Sequence, residues 1–411
     1  MHTLANEFRA AMAERRYGVA RNLAEQALAL APDNPTVLGD YALCLMREGR
    51  HDAAYRVYRR IDALPLARQR LVSPTWIDGL AEVCGWLGKH DELRRYGHRS
   101  LAAADAHFSV HRRWVVPTTP PAPFDQRQSA RNVIAYSLYG ANPRYGETAV
   151  MNARIAAELF PDWTCRIYLD DTVPDHVCAR LRGAGAQVVT VDDATRRAIP
   201  GTMWRFLVLD DPSVDRFMVR DADALLSERE TSAIAAWVDS GRWFHHMRDY
   251  FTHTELLLAG MWAGCRGVFP PVAPLMADYA RHHPSERRFT DQHFLREMLW
   301  PTIRDSVLNH DELFGFHDAQ PFPPHPPVRW RTAEFHVGSN ASYRRIGGPS
   351  ERVDGAMQPV IMTCGEDGPL RYDAIVCDGH WSLDLPFFLI DAFETGALRV
   401  DVAPSDPPTP A

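Results

Sequence analysis

The feature that most constrains this chain is a regular alternation between residues 131 and 192. RNVIAYSLYG carries the apolar run Val133, Ile134, Ala135 and Tyr136 and reads as a strand. GETAVMNARIAAELFP follows, with Met151, Ile155 and Leu159 on one helical face. CRIYLDD is a second strand, DHVCARLRGAG a helix stopped by glycines, and AQVVTV a third strand. Strand, helix, strand, helix, strand specifies a parallel sheet with crossover helices, and such sheets bind ligands at the carboxyl ends of their strands.

FMVRDADALLSERE, residues 217–230, continues the pattern. FMV forms the core of a short strand. Ser227 and Glu230 have capping-box spacing, so a helix starts at Ser227 and stops near Gly241. Asp221 and Asp223 fall in the loop between strand end and helix start. Two carboxylates at i and i+2 of an extended turn can aim at one point. Burying either one unpaired is costly, so a positive partner is expected. Hard oxygen ligands there suit Mg²⁺ or Mn²⁺, which bind few carboxylates together with substrate phosphates. A helix-entry turn with solvated acids is the bland alternative.

The first 112 residues read as helix pairs. Leu4, Ala20, Ala27 and Pro32 recur as Leu38, Ala54, Ile61 and Leu66 at a spacing of about 34, and Tyr58 matches Ala24. A weaker third copy runs through Ile77, Leu80, Gly88, Leu93 and Leu101. The spacing resembles the tetratricopeptide repeat, whose concave groove binds peptides. Capping the next domain or self-association are the other uses of such a front. PTTPPAP, 117–123, is a semi-rigid spacer within a linker spanning 113–130.

Net charge is −7, which argues against nucleic-acid and anionic-membrane binding. Seven cysteines, with no Cys-x-x-Cys pair, argue against a disulfide framework or a zinc ribbon. The start lacks a signal-peptide core, and the most apolar run, LLLAGMWAGCRGVF, is interrupted by Arg266 and too short to span a bilayer. A cytoplasmic protein is expected.

Taken in order, NVIAYSLYG, PDWTCRIYLDD, MWRFLVLDD, FMVRDADALLSERE, FHHMRDY, LLLAGMWAG and TDQHFL resemble nucleotide-sugar glycosyltransferases of the GT-A fold, with an R-D-x-D type signature, over about residues 131–340. Ala224 departs from the Ser often found there. The resemblance implies an α/β, Rossmann-like mixed sheet at 131–345 behind an all-α repeat domain at 1–112. A C-terminal extension at 346–411 has no assigned role, and its tail, APSDPPTPA, is expected to be disordered. It implies that Asp221 and Asp223 hold Mn²⁺ or Mg²⁺ on the diphosphate of a UDP- or GDP-sugar. The acceptor would be a protein or glycan, met by the repeats.

Arg205 and Arg220 are candidates for the phosphates, although Arg205 could instead pair with Asp210 or Asp211. By analogy Tyr136 and Ser137 meet the base, unless Tyr136 is simply a buried strand residue. Gly260 lies in the segment resembling the sugar pocket, where glycine permits close backbone approach. Asp291 and Gln292 resemble an acid–amide pair near the reacting sugar, with a helix N-cap as the alternative for Asp291. Arg248 and Asp249 would contact sugar or acceptor, or form a surface ion pair. Relatives resembling glycogenin take a third metal ligand from a late His-x-Gly, here His336 and Gly338, with His310 competing.

Other readings fit less well. A phosphatase of the haloacid-dehalogenase type wants Thr or Val where Leu225 stands, and a downstream lysine, whereas Lys89 is the sole lysine. A P-loop enzyme lacks its Gly-Lys-Ser/Thr. A repeat scaffold carrying a degenerate transferase domain is the remaining alternative.

Overall fold

The computed structural model describes residues 2–111, 114–284, 289–332, 335–340, 342–365 and 368–403. The expected disorder of the tail falls, beyond Ala403, outside the described residues. The chain divides into two compact units. The first comprises the N-terminal helices with Arg248–Leu256 and Asp311–Pro321, and the second contains the remainder.

The first unit is built from helix pairs α1 (His2–Ala13) and α2 (Tyr17–Leu30), α3 (Pro35–Arg47) and α4 (His51–Asp62), and α6 (Trp76–Trp86) and α7 (His90–Phe108), with a single turn, α5 (Leu66–Gln69), between the second pair and the third. The repeated positions Ala20, Ala24, Ala27, Leu38, Ala54, Tyr58 and Ile61 are buried, because small residues at a crossing let helix axes approach. Gly49 and Gly88 leave α3 and α6 at φ +72° and +66°, which ends each helix sharply. Phe251 and Phe314, from the two inserted stretches, fill the notches left by Gly85 and Gly97.

The second unit holds a seven-stranded sheet ordered β3-β2-β1-β4-β6-β5-β7. Its strands are β1 (Asn132–Leu138), β2 (Thr164–Leu169), β3 (Gln187–Thr190), β4 (Arg216–Val219), β5 (Phe244–Arg248), β6 (Trp262–Cys265) and β7 (Val307–Asp311). β3, β2, β1 and β4 are parallel, while β6 runs antiparallel to both β4 and β5. The crossovers are α8 (Pro143–Leu159), α9 (Asp175–Gly183) and α10 (Asp193–Ala198); α11 (Glu228–Asp239), α12 (Val272–His282), α13 (Thr290–Phe294) and α14 (Trp300–Ile303) follow β4. The strand order reverses between β1 and β4, and in open parallel sheets the ligand crevice opens at the carboxyl ends beside such a switch. Asp221 and Asp223 lie two and four residues past the end of β4.

The C-terminal extension is an antiparallel sheet, β12-β9-β10-β11-β8, formed by β8 (Tyr343–Pro349), β9 (Met357–Cys364), β10 (Pro369–Cys377), β11 (His380–Pro386) and β12 (Leu398–Val402), with α15 (Ile390–Glu394) before the last strand. β10 alternates strictly between exposed and buried residues. Its inner residues Leu370, Tyr372, Ala374 and Val376 join one core with Ala149, Val150 and Ala153 of α8 and Ile134 and Tyr136 of β1. Helix α8 therefore lies between two sheets. Its Glu147 is fixed by a two-pronged contact from Arg180, at 2.7 and 2.9 Å, and by the Tyr372 hydroxyl. No described helix is long and apolar enough to cross a membrane.

One buried side chain of α8 sets the loop after the acidic pair. Asn152, fully buried, donates to the Ala224 carbonyl at 2.8 Å and accepts from the Leu226 amide at 3.0 Å. Asn152→Leu keeps the branched shape but strands two buried backbone groups. We expect a loss of about 2–5 kcal/mol in urea unfolding of the second unit; an unchanged midpoint would show that the loop finds other partners.

Candidate functional site

The site forms where β1, β4 and the start of α13 converge. Past β4, successive side chains alternate sides. Arg220 turns into the interior, bonds Glu230 at 2.7 Å and donates to the Val219 and Trp262 carbonyls. Asp221 turns to the rim. This places Arg220 in a structural ion pair rather than on a phosphate. Of the expected capping box the Ser227 half is missing: Ser227 makes no side-chain cap bond at the start of α11, while Glu230 accepts from Arg220.

Arg205 lies in the 3₁₀ segment Gly201–Asp210, whose position is set by its amide donating to Ser137 Oγ at 2.8 Å. Ser137 is thus a support for Arg205. Its neighbour Tyr136 faces the opposite side of β1 and is fully buried among Ile134, Ile167 and Met218. That burial closes it to a nucleotide base. The exposed aromatic at this strand end is Tyr139, packed edge-on against Trp204 at 5.7 Å.

The Arg205 guanidinium spans two carboxylates, with Nη1 on Asp221 Oδ1 and Nη2 on Asp291 Oδ2 at 2.9 Å. It does not pair with Asp210, which caps the amides of Val272 and Ala273, or with Asp211, which pairs with Arg166. Asp291 sits inside the first turn of α13, where its Oδ1 accepts the Gln292 amide at 2.9 Å. Burial pushes the Asp291 carboxyl above its ordinary value, opposed by Arg205 and reinforced by Asp221. Gln292 uses its amide on the main chain, accepting from Ala259 N at 3.1 Å and donating to the Leu257 carbonyl. It clamps the stretch that leads into Gly260. A Cβ at Gly260 would stand 2.0 Å from Asp221 Oδ2, so only glycine leaves room for that carboxylate.

Asp223 is held by a residue that the sequence reading missed. Arg144 Nη2 donates to Asp223 Oδ2 at 2.6 Å, with 12% and 16% of the two side chains exposed. Burial raises the Asp223 carboxyl, and Asp221 adds to the rise, against the pull of Arg144. The missed signal was Asn-Pro-Arg ahead of the helix. Asn142 accepts the Arg144 amide and Pro143 opens the first turn, so α8 starts three residues before the expected Gly146 and Arg144 reaches Asp223.

The remaining candidates lie elsewhere. His336 lines a separate pocket with Leu225, Phe335, Asn340 and Phe387, to which neither Asp221 nor Asp223 contributes. The Ala224–Asn340 bridge carries the His336 turn onto the Leu225 side of the loop. His310 is buried on β7, with Nδ1 2.7 Å from His245 Nε2. Arg248 and Asp249 belong to the first unit, where Arg248 is fully buried, donates to the Glu255 and Leu256 carbonyls, and is pushed by burial down to about 10. Among the described residues no three His, Cys, Asp or Glu side chains gather as a metal-ligand group.

What Asp221 and Asp223 offer a cation is the oxygen of each that stands outside its ion pair. Asp221 Oδ2 lies against the open space of Gly260, and 40% of that side chain is exposed. A hard oxygen on the partly exposed Asp221, with a second on the less exposed Asp223 two residues on, suits an ion that keeps waters and takes its other ligands from substrate phosphates.

A family model described as tetratricopeptide repeat matches residues 11–65, and the chain is a helical repeat region followed by a mixed α/β domain. No curated protein matches. Among solved structures, the chain is similar to O-GlcNAc transferase of Thermobaculum terrenum, at 17% identity and TM-score 0.26, over 53% of this chain and 50% of that one. It is similar to the mannosyltransferase PcManGT of Pyrobaculum calidifontis in complex with GDP-Man and Mn²⁺, at 12% identity and TM-score 0.31, over 59% and 68%. Glucosyl-3-phosphoglycerate synthase of M. tuberculosis follows at 14% and 0.26, over 51% and 81%. The chain spans half the length of the first of these.

A raised carboxyl favours the folded protein while protonated, and that contribution is lost as pH rises through its folded-state value. Asp291→Asn stays neutral and escapes the loss. Urea melts taken from about pH 4, the ordinary carboxylate range, up to neutrality should therefore show the variant gaining on the wild type as pH rises, by up to about 1.4 kcal/mol for each pH unit between the unfolded-state and folded-state values. A difference that does not change with pH would contradict the burial account.

Proposed function

We propose that the chain is a metal-dependent glycosyltransferase that moves a sugar from a UDP- or GDP-sugar to a protein or glycan acceptor, in a second unit of GT-A type. The observation that carries this reading is the acidic pair at the β1/β4 switch point, held from one side by the Arg205–Asp291 bridge. Two carboxylates just past a strand at the switch point of a parallel sheet, with guanidinium groups bonded to them, suit a diphosphate bound through a cation. Asp221 and Asp223 would hold Mn²⁺ or Mg²⁺, which would neutralise the diphosphate as it departs.

The chain's own residues do the rest. Arg205 fixes the Asp221 carboxylate and pulls Asp291 toward its charged form against the effect of burial. Asp291, with its proton affinity raised, is the candidate acid or base at the reacting carbon. Gln292 is a positioning residue that acts through Leu257 and Ala259 on the Gly260 turn. Tyr139 supplies an exposed ring for the base. The helical repeats of the first unit would bind the acceptor or a partner protein.

The purified protein should transfer to water or acceptor from one member of a UDP- and GDP-sugar panel with Mn²⁺. Asp223→Ala should lower the rate by at least about a hundredfold. Donor turnover that survives Asp223→Ala would sink the metal role. A wild type that neither binds nor turns over any member would leave the repeat scaffold as the function.

A further inference from the structure

Arg144 is oddly placed for a structural residue. It occupies the first turn of a 17-residue helix that has no acid in that turn, and a cation at that end opposes the helix dipole. Its Nε is buried with no hydrogen-bond partner among the described residues. Among the described residues its one ion pair is to Asp223, the carboxylate assigned above to a metal. A divalent cation on Asp223 would meet a like charge at close range, so ion and guanidinium cannot share that carboxylate without cost.

The arm that aims Arg144 comes from the C-terminal sheet. Tyr343, the first residue of β8, places its ring 4.4 Å from the Arg144 guanidinium carbon, and Tyr145 flanks it at 5.2 Å. Asp384 of β11 faces the Asn142 cap at 3.5 Å, and Tyr372 of β10 holds Glu147 one turn further along. A stacked arginine keeps its charge and its planar fork while turning about its stem.

We infer that Arg144 is an exchangeable counter-ion: it closes Asp223 while the cation is away, and passes to the phosphate oxygens of the incoming nucleoside diphosphate when the cation takes its place. This rests on the reading of Asp221 and Asp223 as the cation site. The C-terminal sheet is then a working part of the site, because Tyr343 sets the position from which the exchange occurs.

The two halves of the exchange respond with opposite sign to loss of the charge. Calorimetry and the paramagnetic signal of free Mn²⁺ should show Mn²⁺ alone binding about tenfold more tightly to Arg144→Gln, since a like charge has gone. UDP or GDP, with saturating Mn²⁺, should bind about tenfold more weakly to the same variant, since a phosphate partner has gone. Arg144→Lys keeps the charge and should hold Mn²⁺ affinity near the wild type. Tyr343→Leu should shift it in the direction of Arg144→Gln, and Tyr343→Phe should leave it unchanged.

Equal Mn²⁺ affinity in the wild type and Arg144→Gln overturns the inference alone. So does a Lys variant that behaves like the Gln variant, which would mark a packing effect. Nucleoside diphosphate binding that does not weaken in Arg144→Gln overturns the exchange. Absence of Mn²⁺ binding by both the wild type and Arg144→Gln overturns the cation site itself, and with it the inference.

Discussion

The second unit turns on one guanidinium. Arg205 is nearly fully buried and bridges Asp221 on the loop after β4 to Asp291 at the start of α13. The buried Arg205 and Asp291, with Asp221 at the solvent edge, are tolerable only as a bonded set, since a buried carboxylate or arginine alone costs several kcal/mol. That cost makes the geometry specific. The loop, the 3₁₀ segment and the helix must meet for any of the three charges to be satisfied. Ser137 on β1 locks the arrangement to the sheet through the Arg205 amide.

A second set repeats the principle one carboxylate further along. Asp223 is closed by Arg144, which is carried by a helix held between two sheets. The acidic pair is thus approached by two separate elements, one a 3₁₀ segment locked to β1 and one a helix braced by the C-terminal sheet. Asn152 fixes the loop that follows through the Ala224 carbonyl and the Leu226 amide. Rim carboxylates at a sheet's switch point would otherwise sit on a mobile turn. Here nearly every backbone neighbour is anchored, while one oxygen of each carboxylate stays outside its ion pair.

Much of the fold was legible because it rests on local period. The strands at 132–138, 164–169 and 187–190 and the helices between them follow from apolar spacing and glycine stops. The helix pairs of the first unit follow from small residues recurring at repeat spacing, and a repeat family model matches 11–65. Asp221 and Asp223 were legible because a strand end and a helix start bracket them. The partners were not. Arg220 adjoins Asp221 in sequence but faces away, whereas Arg144 and Arg205 are 79 and 16 residues distant from the carboxylates they bond. His336 has a plausible place in sequence, yet the bridge between Ala224 and Asn340 takes it into another pocket.

The sequence by itself determined a helical-repeat front, a parallel sheet with crossovers and an acidic pair at that sheet's rim, since each is set by periodicities of a few residues. Only the tertiary structure decided which cations meet those acids, that Tyr136 is core while Tyr139 is surface, and that the C-terminal strands brace the helix carrying Arg144. Charge pairing, burial and stacking depend on distances through space between residues far apart along the chain, and no local pattern encodes those distances.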